Sequence, residues 1–130
     1  MEVKYLIDTN IFLEILLGQE KSEFCKTFLN QRLGQICTSD FSLHSIGVIL
    51  FRNKKFELYN SFFNDVLPKV KIVTLQPDEY KRVADIARQF SLDFDDSYQV
   101  AIAESLNLSI MTMDSDFNKV SHFCKINFIG

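Results

Sequence analysis

Five aspartates stand beside apolar runs of the chain, where polar side chains gather at the ends of elements. Asp8 ends the run from Val3 to Ile7, Asp95 and Asp96 lie in DFDDSYQVAIAESLN, and Asp114 and Asp116 follow the run from Leu108 to Met111. Carboxylates crowded in one crevice without basic partners repel one another and are costly to desolvate, so a shared divalent cation would give such a cluster a physical purpose. Mg²⁺ or Mn²⁺ is the natural occupant, because hard cations prefer carboxylate and water oxygens. Two His and three scattered Cys argue against zinc. Each Asp alone has a simpler reading, since Asp between a strand and a helix is a common N-cap. Caps need not choose one edge of a sheet, so the three acidic points together favour a site.

The elements that would position these acids follow from apolar periodicity. Residues 3–7 are β-branched and aromatic and stop abruptly, as a strand buried on both faces would. Asp8-Thr9-Asn10 offers caps for a helix carrying Ile11, Phe12, Ile15 and Leu16. A second helix follows the break at Gly18 and closes at Gly34, before a short strand at Ile36-Cys37. Thr38-Ser39-Asp40 starts a third helix reaching Arg52, and Phe56 to Leu67 predicts a fourth, stopped at Pro68. Lys71 to Leu75 reads as an edge strand, Pro77-Asp78 opens a helix, and the acidic DFDD leads into a small apolar helix packed deep against the sheet. Residues 108–111 and 125–129 complete five strands. Strands alternating with helices need crossovers, so the fold class is α/β, a three-layer α/β/α sandwich around a parallel sheet. In such sheets ligands bind beyond the carboxyl ends of the strands, where the strand order switches. All three acidic points would sit there.

With 130 residues, one domain spanning 1–130 is expected. Apolar residues at 47% and charged residues at 24% are ordinary globular proportions and exclude a disordered or coiled-coil chain. A formal charge of −3 rules out binding nucleic acid by bulk charge, so any such contact must be local. The cysteines are odd in number and lack CxxC spacing, which fits a reducing cytoplasm. No stretch is long and apolar enough to span a bilayer, and MEVKYLIDTN is too charged for a signal peptide, so a cytoplasmic protein with no membrane contact is expected.

Asp114-x-Asp116 alone also occurs in Toprim and glycosyltransferase sites, but neither accounts for Asp8 and Asp96. A haloacid dehalogenase would want a second Asp two residues after Asp8, where Asn10 stands. YLIDTNIFLEILL, CTSDFSLHSIGVIL and DFDDSYQVAIAESLNLSIMTMDSDF, in that order, resemble the PIN-domain ribonucleases, including the toxins of VapBC-type toxin–antitoxin pairs. The resemblance covers essentially the whole chain. It implies a PIN-like fold and Mg²⁺- or Mn²⁺-dependent hydrolysis of RNA phosphodiester bonds. By that similarity Asp8, Asp96 and Asp114 are the catalytic, metal-binding acids, with Asn10 and Thr112 as polar supports and Asp95 and Asp116 as accessories. RNA as the substrate comes from the resemblance alone.

The family usually carries a Glu in the helix after the second strand, and His44 is taken as the matching position. His44 is open to three readings: a metal ligand, a proton shuttle or phosphate contact, or a structural residue. A Glu there would make four acids; His44 leaves three, which motivates the alternative of a catalytically impaired PIN-fold module binding RNA or protein. A metal-dependent phosphatase or transferase on a similar sheet is a third possibility. Phosphate must be drawn toward an acidic pocket, and Arg52, Lys54 and Lys55 form the densest basic group for substrate binding. The resemblance also suggests a small antitoxin partner. Self-association as a homodimer through the Phe-rich helices is an equal expectation.

Overall fold

The computed structural model of the chain describes residues 2–129. Five parallel strands form its centre: β1 (Tyr5–Ile7), β2 (Ile36–Ser39), β3 (Lys71–Val73), β4 (Ser109–Thr112) and β5 (Ile126–Phe128), in the order β3-β2-β1-β4-β5. The register pairs Leu6 with Cys37 on one side and with Ile110 on the other. β1 is therefore central, and the chain walks outward to β3 before returning to β4 on the opposite side. That reversal between β1 and β4 is the switch in strand order expected to host a site.

Alternation along the strands divides the core in two. Leu6, Cys37 and Ile110 face the layer of α5 (Lys81–Phe90) and α6 (Phe94–Leu106), whereas Ile7, Ile36 and Met111 face α1 (Thr9–Leu16), α2 (Ser22–Asn30) and α3 (Asp40–Arg52). This is the three-layer sandwich the sequence predicts. α6 is the most deeply set helix: every residue from Asp96 to Ala103 is buried. Its run of small and apolar residues suits a helix pressed flat against the sheet.

Local departures from expectation have physical causes. α2 ends at Asn30 and a turn follows, with Gly34 at φ +88°, a left-handed conformation that glycine adopts without steric penalty. The fourth helix, α4, runs only from Phe56 to Ser61, widens into a π turn over Phe62–Val66 and tightens into a 3₁₀ turn at Leu67–Lys69. Pro68 therefore lies in the first positions of that 3₁₀ turn rather than just beyond a helix. There its missing N–H breaks no internal hydrogen bond. Pro77 likewise opens a 3₁₀ turn, Pro77–Tyr80, which leads into α5.

Candidate metal centre

β1 delivers Asp8 to the sheet edge, and its backbone N–H donates to Met111 O of β4 at 2.9 Å. The Asp8 side chain is 4% exposed and makes no capping bond to α1. Its oxygens accept instead from side chains distant in sequence: Thr112 Oγ1 donates to Oδ2 at 2.7 Å and Gln99 Nε2 to Oδ1 at 2.9 Å. The Thr112 hydroxyl also accepts the Asp114 N–H at 2.9 Å, joining the end of β4 to both acids. Asp114 does behave as a cap, accepting from Asp116 N–H at 2.9 Å. Of the three acidic points, that one alone fulfils the simpler reading.

α6 begins beside these groups and supplies Asp95 and Asp96 in its first turn, preceded by Asp93. A cavity of about 290 Å³ opens there, lined by Asp8, Asp93, Asp95, Asp96 and Asp114, with Thr9 and Asn10 from α1 and Ser45 and Ile49 from α3. No Lys or Arg is among these lining residues. One carboxylate oxygen each from Asp93, Asp95 and Asp96 lie within 4.8 Å of one another, and the same holds for Asp96, Asp114 and Asp116. Asp96 belongs to both groups. Asp8 belongs to neither, standing at the rear wall with its two donors.

The electrostatics follow from crowding. Burial pushes the Asp96 carboxyl up to about 8, and the charges of Asp93, Asp95, Asp8 and Asp114 add to the effect. Asp95 is raised by burial and by its neighbour Asp93. Asp8 is raised chiefly by burial, against which the Gln99 and Thr112 hydrogen bonds act. An all-oxygen donor set, several like charges and no basic side chain in the lining fit a hard divalent cation.

The structure thus brings together Asp8, Asn10, Asp95, Asp96 and Asp114, with Thr112 behind them and the exposed Asp116 alongside. It does not bring His44 into the crevice. His44 is exposed and lines a separate groove with Leu43, Gly47, Val48, Phe51 and Tyr59. Successive helical residues point about 100° apart, and on α3 it is Ser45 that faces the acids. Arg52, Lys54 and Lys55 are exposed at the far end of α3 and do not line the crevice, although Arg52 shares the helical stripe of Ser45 and Ile49. Elsewhere, Arg82 is paired with Glu104 and Arg88 with Asp85. Asp93, Ser45 and Gln99 are parts of the site that sequence reasoning missed. Gln99 lies three residues after Asp96 on the same face of α6, and Asp93 stands in the same acidic DFDD run just before the helix, so both were available to be read.

A doubly wound parallel sheet with a carboxylate-lined crevice at its switch point defines the class. The PIN domain family model matches residues 5–122, and the chain belongs to that family. None of the curated proteins compared with it matches by sequence. Solved structures with similar folds include VapBC2 from Rickettsia felis bound to a DNA fragment from its promoter, with TM-score 0.78, 14% identity and full coverage of both chains. VapBC-1 from nontypeable Haemophilus influenzae gives 0.76 at 15% identity over 98% of each chain. A toxin–antitoxin complex from Klebsiella pneumoniae gives 0.75 at 18% identity, covering 95% of this chain and 96% of the other. At such identities the likeness establishes the fold.

Proposed function

We propose that this chain is a Mg²⁺- or Mn²⁺-dependent endoribonuclease, the cytoplasmic toxin of a VapBC-type pair. The observation that carries the reading is Asp96: a buried carboxylate shared by two groups of acids, with no basic residue lining the crevice to offset them. Asp8, Asp96 and Asp114 would hold the cation, with Asp95 and Asp116 at its margin and Asn10 on the α1 side. Bound there, a divalent cation supplies an activated water and offsets charge on the phosphoryl oxygens. Asp95, exposed beside Asp96 and raised in pKa by desolvation and by Asp93, is suited to accept the proton of the attacking water. Thr112 keeps Asp8 and the Asp114 backbone in register through one hydroxyl. Arg52, Lys54 and Lys55 would meet phosphates of a strand entering along α3.

An antitoxin partner accords with the toxin–antitoxin complex from Klebsiella pneumoniae among the similar folds, and with the exposed Phe51, Phe56 and Phe63 of α3, α4 and the turn after it. The same face would equally serve a homodimer. The α3 side of the crevice offers Ser45, which is no carboxylate, and this favours a second reading, a PIN-fold module that binds RNA without cleaving it. One experiment separates the two: incubate purified protein with a fluorescent single-stranded RNA, with Mn²⁺ or with EDTA. Cleavage that needs Mn²⁺ and falls about a thousandfold in Asp96→Asn supports the nuclease. RNA binding without any Mn²⁺-dependent cleavage supports the module.

A further inference from the structure

We infer that Gln99 is a positioning residue of the crevice, its amide holding Asp8 so that the free lone pairs of that carboxylate face the acids of α6 and β4. The inference rests on the metal-dependent reading above. Gln99 lies one helical turn beyond Asp96 and is 3% exposed, within a stretch of α6 that otherwise buries Val100, Ala101, Ile102 and Ala103. An amide so placed costs about 1–3 kcal/mol unless its polar atoms are paired. Only half of this one is paired: Nε2 donates to Asp8 Oδ1 at 2.9 Å, while Oε1 is buried with no partner among the described residues. An apolar side chain would pack α6 against the sheet without that penalty. Packing therefore does not account for Gln99, and its single hydrogen bond does.

The direction of that bond matters. With Asp8 ionised, the opposite amide orientation would set two acceptors against each other. Thr112 takes the other oxygen, Oγ1 donating to Oδ2 at 2.7 Å, so one donor on each oxygen fixes the rotation of the carboxylate. Each oxygen keeps a further lone pair for a ligand. The two donors are not equivalent. Thr112 belongs to β4, which is already paired with β1, whereas Gln99 belongs to the helix that carries Asp96. Gln99 is thus the side chain that ties Asp8 to the helix carrying Asp96, which shares no backbone ladder with β1.

Calorimetric Mn²⁺ titration of the full chain tests this, with Asp96→Asn as the reference for the site itself. Wild type should bind Mn²⁺ and Asp96→Asn should not. Gln99→Met, close in shape but without a donor, should bind about tenfold more weakly, the loss typical when a partner of a metal ligand is removed. Its metal-free melting temperature should stay close to that of wild type, because the orphan Oε1 is lost together with the donor to Asp8 Oδ1. Raising Mn²⁺ should restore its RNA cleavage to the wild-type maximum, since every acid remains. A purely structural Gln99 would lower the melting temperature and leave Mn²⁺ affinity alone. Mn²⁺ affinity within twofold of wild type, in folded Gln99→Met or in Gln99→Leu should the former not fold, overturns the proposal while leaving the metal site standing. No Mn²⁺ binding by wild type overturns both.

Discussion

Two hollows of similar size flank one helix. On one side of α3, Ser45 and Ile49 look into the acid crevice of about 290 Å³; on the other, Leu43, His44, Gly47, Val48 and Phe51 line a groove of about 340 Å³ against Tyr59. The crevice is assembled from β1, β4, α1, α3 and α6, so residues as far apart as Asp8 and Asp114 meet there, whereas the groove is built by α3 and α4 alone. Its rings pack locally, Phe51 lying edge-on to Phe56 at 5.0 Å and to Tyr59 at 5.2 Å. Convergent carboxylates are expensive and need a ligand to justify them, while a half-exposed aromatic groove needs only a partner surface. The helix thus separates the two hollows, and a single residue step moves a side chain from one to the other.

The sharpest contrast is between Asp114→Asn and Phe51→Ala. The first keeps a capping oxygen for Asp116 N–H but removes a charge from the crevice, so Mn²⁺-dependent RNA cleavage should fall by about two to three orders of magnitude. The second should leave cleavage within twofold and cost about 1 kcal/mol of stability through its two ring contacts. Matched cleavage assays and chemical denaturation check both.

Next in size is a pH effect confined to the acid side. The Asp96 carboxyl titrates near 8 in the folded protein and near 4 when unfolded, so the folded state holds its proton more tightly. The resulting stability is complete in acid below the unfolded value and is lost as pH rises through about 8; Asp8 and Asp95 act in the same direction. In EDTA the melting temperature should therefore fall between about pH 4 and 8 and level off above, and Asp96→Asn should remove most of that slope.

A smaller effect separates neighbours on the helix. Ser45→Glu adds an oxygen ligand on the crevice side and should tighten Mn²⁺ binding about tenfold, while His44→Glu, pointing into the groove, should leave it unchanged. Calorimetry on the two variants reads this directly, and the reverse result would return His44 to the site. The smallest expected change is in Arg52→Ala. Placed on the Ser45 stripe but outside the crevice, it should raise the KM for RNA about threefold at low salt, with the difference shrinking as salt is added.

Much of this molecule is legible in its sequence because its parts agree with one another. Apolar runs such as residues 3–7 and 108–111 stop at polar residues, and an alternating β/α pattern permits few topologies, so Asp8, Asp96 and Asp114 could be placed on one edge without coordinates. His44 shows where that reading ends. A motif matched by pattern can slip by one residue, and a slip of about 100° on a helix exchanges crevice for groove. Gln99 stayed hidden for another reason: within an apolar helix its amide looks like an ordinary substitution until Asp8, 91 residues earlier, is seen beside it. Pro68 misled because proline stops an α-helix yet is welcome at the start of a 3₁₀ turn. Whether an Asp caps the helix after it was equally beyond the sequence, since Asp8 and Asp114 follow strands alike and only the second caps.

Whether the acids of the crevice hold a divalent cation is read most directly from anomalous diffraction of crystals soaked in Mn²⁺. An anomalous peak is expected within coordination distance of an Asp96 oxygen and of at least one of Asp8 or Asp114, absent from Asp96→Asn crystals treated alike. Manganese peaks only at surface carboxylates outside the crevice, with the crevice acids ordered and accessible, would contradict it.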